Sequence, residues 1–160
     1  MKPILRFLFA GMFLFSLLVS CLQSSSQSTL PDTWQDDMIL KMTYGGGMRY
    51  YSSTIEIKSN GAYQLINDQG REIRTPLSFT QQELNDLLAF LKARQFELIK
   101  SDMRAGIIYD KATTSTVLSW NKRVLGFSDG SSSTIAEEYK KQYYEVQNYL
   151  GQLVANKTKR

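Results

Sequence analysis

The chain contains a single cysteine, Cys21. No intrachain disulfide can form, so whatever domain it makes must be held by its hydrophobic core. With 160 residues, 42% hydrophobic and 21% charged, the composition fits one globular domain plus a targeting segment. After a leader and a polar stretch, roughly 120 residues remain, enough to bury a core of their own. There is no histidine. Its absence excludes Ser-His-Asp and Cys-His nucleophile systems and zinc sites built on imidazole. Lys2 and Arg6 account for two of the 19 bases, leaving 17 against 15 acids beyond the leader. That balance describes a solvated surface and gives no reason to expect nucleic-acid binding.

The N-terminus carries Lys2 and Arg6 and then an apolar run from Phe7 to Val19. At 13 residues the run is shorter than the roughly 20 needed to span a bilayer. A short basic region before such a run reads as a secretory signal. Leu18-Val19-Ser20-Cys21 resembles the lipobox of bacterial lipoprotein precursors. The resemblance implies cleavage of a signal peptide, residues 1–20, before Cys21. It also implies a diacylglycerol on the Cys21 sulfur and acylation of the new amine. Two or three acyl chains anchor stably where one holds only marginally. An uncleaved signal anchor and an ordinary secretory signal are the alternatives. With Leu22 rather than aspartate after the cysteine, the family pattern points to the outer membrane if the host is Gram-negative, and to the cell envelope in either case. Residues 21–33 are polar and serine-rich, a flexible tether spanning on the order of 20 Å.

Residues 34–155 read as a single α+β domain. Met38 to Tyr44 alternates as a first strand ended by Gly45-Gly46-Gly47, and Tyr50 to Lys58 as a second, with Tyr51, Ser53, Ile55 and Ile57 on one face. A three-residue Ser59-Asn60-Gly61 loop would set Ile57 opposite Tyr63 and Ile55 opposite Leu65, keeping apolar residues together. Asp68-Gln69-Gly70 turns again, into a short strand over 71–75. Thr80-Gln81-Gln82-Glu83 is a capping box, with Phe79 and Leu84 as a hydrophobic staple. The helix it opens runs to about Arg94 and turns Leu84, Leu87, Leu88 and Leu91 to the core. Ile107 to Tyr109 reads as a strand, and 113–120 with 123–128 as a hairpin across Asn121-Lys122. Thr134 to Glu137 repeats the capping-box pattern before a helix to about Val154, with Tyr139, Tyr143, Val146, Leu150 and Leu153 as its buried stripe. Residues 156–160 form a basic, frayed tail. The order strands-helix-strands-helix predicts a largely antiparallel sheet with two helices packed on one face.

Several groups invite a functional reading. Gly45, Gly46 and Gly47 offer a backbone that a ligand can approach, but a phosphate loop needs a helix next, whereas Met48, Arg49, Tyr50 and Tyr51 lead into a strand. A mobile hairpin is the simpler reading. Tyr44, Tyr50 and Tyr51 around the loop suit a protein-binding patch, or else pack on the sheet with hydroxyls at its rim. The pairs Asp36-Asp37 and Glu137-Glu138 diverge in space and are poor candidates for paired acid/base work. Asp102 and Asp110 have no spacing that demands a shared site. No Ser-x-x-Lys motif appears in a supporting context. Trp120, beside Asn121, Lys122 and Arg123, suits a headgroup or partner contact, or ordinary packing at a strand end. Catalytic residues, metal ligands and cofactors are not expected.

The region from Tyr44 to about Leu153 resembles uncharacterised domains of bacterial envelope lipoproteins. The resembling pieces are Tyr44-Gly45-Gly46-Gly47, Ser53 to Ile57 before Asn60-Gly61, Leu77-Ser78 leading to Glu83-Leu84, and Tyr109-Asp110 before a threonine-rich strand. The glycine loop, sheet and leucine-rich helix are also similar to emfourin-type inhibitors of bacterial metalloproteases, although the second half departs from that pattern. The preferred reading is a non-catalytic membrane-anchored module that binds an envelope protein or peptide, of which an inhibitor is one specific form, with Gly45, Gly46, Gly47, Arg49, Tyr50 and Tyr51 as the binding loop. A structural or assembly lipoprotein is the alternative.

Overall fold

A computed structural model describes residues 28–48, 50–103 and 106–159. The expected signal peptide, Cys21, the first part of the expected tether, Arg49, residues 104–105 and Arg160 lie outside the described residues. Eight strands and two helices follow one another as β1 (Ile39–Gly45), β2 (Tyr51–Lys58), β3 (Gly61–Asp68), β4 (Arg71–Leu77), α1 (Gln81–Ala93), β5 (Ser101–Met103), β6 (Thr113–Trp120), β7 (Arg123–Asp129), β8 (Ser133–Ile135) and α2 (Lys140–Thr158). Six strands form an antiparallel sheet in the order β4-β3-β2-β1-β6-β7, and β5 pairs with β8 in a small second ladder. The expected α+β class and element order are both present.

Alternation along the strands decides which face is buried. Leu40 faces Ile57 on one side and Leu118 on the other. Opposed residues share a face, so these three, with Ile55, Leu77, Trp120 and Phe127, line the side covered by the helices. From α1, Leu84, Leu87, Leu88 and Leu91 meet them. From α2 come Tyr143, Val146, Leu150 and Val154. Tyr139 and Leu153, expected in that stripe, are only partly buried, and Val154 is fully in it. The helices touch through stacked rings of Phe90 and Tyr149, 3.9 Å between centroids, and an Arg94–Glu145 ion pair. Thr116, a buried polar residue of the core face, accepts a hydrogen bond from Gln147 Nε2 at 2.8 Å, which ties sheet to α2.

The capping box at Thr80 forms as read: Glu83 N donates to Thr80 Oγ1 and Thr80 N to Glu83 Oε2. Its apparent repeat at Thr134 does not. There the backbone of Ser133–Ile135 is taken by β5, and Ala136 N donates to Lys100 O. The helix starts only at Lys140, after a 3-10 turn and without a side-chain cap. Ladder bonds outcompeted a local cap.

Other expectations are corrected. The β2–β3 loop has two residues, Ser59 and Asn60, so Ile57 faces Ala62 and Ile55 faces Gln64. Matching apolar residues across two strands ignored the helix layer. A small residue beside Ile57 leaves room for the α1 leucines, and Tyr63 goes to the open face. There it donates to Glu56 at 3.1 Å and lies under the Arg74 guanidinium, 4.0 Å from the ring centroid. Ile107 to Tyr109 is an exposed loop; the strand of this region is β5 instead. β4 extends to Leu77, an outer strand whose Arg71, Glu72, Arg74 and Pro76 discourage pairing with another chain.

Both ends of the domain differ from the composition-based reading. Leu30 is buried in the core, Trp34 N donates to Asn85 Oδ1, and Lys92 pairs with Asp32 at 2.8 Å. Ser28 to Thr33 therefore lie along α1 rather than hanging free, because one leucine and one acid find partners there. Likewise the basic tail is helical to Thr158. Lys157 reaches Glu83 Oε1 at 2.6 Å and sits over the Phe79 ring.

Candidate functional site

The antiparallel order sends alternate connections to the same end of the sheet. The β1–β2 loop, the β3–β4 turn, the β5–β6 loop and the β7–β8 turn therefore gather at one end. Among the described residues, seven of the eleven exposed large hydrophobic side chains sit on or beside these connections: Tyr44, Met48, Tyr50, Met103, Ile107, Ile108 and Tyr109. Four are almost fully exposed, at 87% for Met48, 90% for Tyr50, 89% for Met103 and 82% for Tyr109.

The glycine segment divides at the sheet's edge. Gly45 belongs to β1 and pairs with both Ser52 and Thr113. Gly46 and Gly47 leave the sheet with φ of +89° and +79°, a backbone region that disfavours side chains. A Cβ on Gly47 would stand 3.2 Å from the carbonyl oxygen of Asp110. The two loops thus run side by side, and no helix follows the glycines; β2 does. Tyr50 stands out from the loop while its carbonyl accepts from Gln69 N at 2.8 Å. Tyr51 opens β2 and meets Tyr44 edge to face, 6.1 Å between centroids.

The β5–β6 loop is pinned from its other side. Lys111 pairs with Asp129 at 2.9 Å, Ile108 N donates to Ser131 O, and Ser131 Oγ donates to Lys111 O. A fixed base thereby carries exposed Ile107, Ile108 and Tyr109.

Two depressions flank the end of the sheet. The larger, about 680 Å³, lies between the glycine loop and the β3–β4 turn, lined by Gly46, Gly47, Tyr50, Tyr51, Asn67 and Gln69 among others. None of its described lining residues is charged. Ser52 and Asn67 pair across β2 and β3 and face away from the helices. The smaller, about 370 Å³, is lined by Tyr44, Gly46, Tyr51 and Asp68. Gln69 takes a positive φ of 52° in its turn, and Gly70 N donates to Asn67 Oδ1 at 3.1 Å. This bond ties the Asn67 side chain to the β3–β4 turn.

The remaining sequence candidates serve the scaffold. Asp37 accepts from Asn121 N at 2.6 Å and holds the β6–β7 turn, while Asp36 uses only its carbonyl, toward Ser59. Glu137 pairs with Lys140. Trp120 is buried. Asp102 lies on β5 against Thr134, and Asp110 beside the glycine loop in left-handed backbone. The carboxylates whose acidity is shifted sit elsewhere: Lys58 holds Glu56 low, Lys157 and then the Thr80 N–H hold Glu83 low, and Lys92 holds Asp32 low. Among the described residues, no group of three or more acidic or cysteine side chains is placed to hold a metal ion.

Sequence reading found the glycine loop and its tyrosines but missed Met48, Met103, Asn67, Gln69 and the 107–109 loop as their neighbours. A signal was available: in an antiparallel meander every second connection shares an end. No protein-family model and no curated protein matches this chain.

Proposed function

We propose that the protein is a membrane-anchored, non-catalytic module of the cell envelope that binds a protein or peptide through the loop end of its sheet. One observation carries this reading: large apolar side chains are collected at that end, exposed, on loops held by the sheet. Monomeric proteins seldom leave such a collection uncovered without a partner to cover it. Aromatic and methionine side chains are also the types enriched where proteins meet. The anchor rests on Leu18 to Cys21, with lipid on the Cys21 sulfur. Ser28 to Thr33 lie along α1, so the packed part of the domain begins only seven residues after Cys21. The domain works close to its membrane.

A photo-crosslinking amino acid at Met48, in cells of the native host, tests the binding end. Discrete adducts that vanish when Tyr50 and Tyr109 are both alanine are expected; no adduct at Met48 or Tyr109 would overturn the reading. For the anchor, Cys21→Ser should abolish palmitate labelling and block processing. Unchanged labelling would remove the lipid from the account.

A further inference from the structure

We infer that the β5–β6 loop is a second membrane contact, seating Ile107 and Ile108 in the lipid interface with Tyr109 at headgroup level. This rests on the lipid at Cys21 and adds which way the domain faces; the glycine loop is left to the protein partner. The direction follows from the topology. β4 ends at Leu77, opposite Ala62 beside the tight β2–β3 turn, so α1 starts at the turn end and runs back. Beyond α1 the chain is at the loop end. Phe96 meets Phe127 at 5.1 Å between centroids, Ser101 Oγ accepts from Ser128 N, and β5 runs out to Met103 opposite Ser133. The entering segment runs the other way along α1. Trp34 N donates to Asn85 near the start of that helix, Asp32 pairs with Lys92 in its last turn, and Thr29 N donates to Glu97 Oε1 at 3.2 Å. Ser28 therefore leaves the domain on the side of the loops. Cys21 stands seven residues earlier, a separation that spans at most about 25 Å even fully stretched. The strands, seven or eight residues long, have a similar length. A lipid at Cys21 thus holds the loop end near the bilayer, and the turn end could reach it only with the connection at full stretch.

The two exposed loops differ in what they offer. Met48 and Tyr50 on the glycine loop are of types enriched where proteins meet. The β5–β6 loop exposes two consecutive aliphatics, Ile107 and Ile108, and then Tyr109. Isoleucine enters lipid favourably, and tyrosine collects at the membrane–water interface with its ring inward and its hydroxyl in water. These three residues carry no charge. Asp110 and Lys111 follow them, and Lys111 is held on Asp129 at the base of the loop. Because Ile108 N and the Lys111 carbonyl are both bonded to Ser131, the base is already in place when the tips meet lipid. Two isoleucines are too few to hold a protein on a membrane from solution. The acyl chains at Cys21 make the contact intramolecular, and a weak contact is then occupied.

The test uses the full mature lipoprotein in phosphatidylcholine vesicles. With lipid on the Cys21 sulfur, Ile107→Cys supplies the single free thiol, which takes an environment-sensitive fluorophore. Asn60→Cys, in the opposite turn, is the control. Both side chains are exposed, so neither variant should lower the melting temperature. Emission from position 107 should shift to the blue and be quenched by lipid spin-labelled near the top of its acyl chain, the roughly 5–10 Å depth that interfacial segments reach. Position 60 should show neither change. No quenching at 107, or equal quenching at both positions, overturns the inference. Met103→Cys, also exposed at the loop end, repeats the measurement if the first variant folds poorly. In host cells a photo-crosslinker at Ile107 should capture lipid. A discrete protein adduct there in place of lipid would give this loop to the protein partner and overturn the inference. If Cys21 takes no palmitate, the anchor reading falls and this one with it. If it does and position 107 stays unquenched, the anchor stands and the orientation alone is wrong.

Discussion

The two ends of the sheet are built from the same strands and treated in opposite ways. At one end the chain turns through Ser59-Asn60 and Asn121-Lys122, and the polar groups there are tied down. Asn121 and Lys122 adopt φ of 45° and 62°, and Asp37 receives the Asn121 N–H. At the other end the β1–β2 and β5–β6 loops are longer, and Tyr50, Met48 and Tyr109 stand in solvent. Turns with positive φ at both central residues match the twist of the strands and need nothing further. Longer loops cost more to order, and large apolar tips add nothing to the core. The buried core and the exposed apolar loops thus lie in different places, and substitutions should separate their effects.

The largest effect is expected beneath the helices. Leu88→Ala removes a fully buried side chain and should cost about 2–5 kcal/mol, a large share of a small domain's stability. Urea unfolding measures it, and a loss under about 1 kcal/mol would show a core softer than the geometry implies. Gly130→Ala blurs the division, since it lies among the loops. An added Cβ would overlap Thr113, 2.2 Å from its Oγ1, so about 1–3 kcal/mol should be lost. An alanine there without cost would mean that the β7–β8 turn is loosely held.

Smaller still are the changes at the helix clasp. Thr80→Ala should cost about 1 kcal/mol and Lys157→Ala about 0.5–1 kcal/mol, discounted for the exposure of Glu83. Because both act on Glu83, the double variant should lose less than their sum. The Glu83 carboxyl is held low, by Lys157 first and Thr80 second. Its contribution is therefore present above the ordinary carboxylate range and is lost as pH falls through the lower folded value. Melting followed from about pH 5 to pH 3 should fall more steeply in the parent than in Lys157→Ala. Parallel curves would place that acid sensitivity elsewhere. Smallest of all, Tyr50→Ala should change stability by no more than about 0.5 kcal/mol while removing the crosslinks.

What could be read from the sequence followed from local rules. Thr80 to Glu83 fixed a helix start, the leucines fixed its buried face, and Asn121-Lys122 fixed a hairpin. The misreadings arose where distant partners decided the outcome. Thr134 had a capping pattern but β5 took its backbone; Leu30 looked like tether but α1 offered it a core; Ile107 to Tyr109 had the composition of a strand but no neighbour to pair with. At the loop end, Gly46, Gly47 and Tyr50 were visible because glycine punctuates a sequence. Asn67 and Gln69 became neighbours only through the β2–β3 register, which local pairing had placed one residue away.

The position of β1 has a further consequence, for the time course of folding. It is the first strand in the chain and a central one in the sheet, flanked by β2 at once and by β6 only after three strands, a helix and the short β5. The meander β1–β4 closes through short loops, but its central strand keeps an unpaired edge until β6 arrives. Such a late long-range pairing slows folding relative to a chain of purely local contacts. In that interval the open edge of β1 would be the place where a newly made chain is most exposed to mispairing.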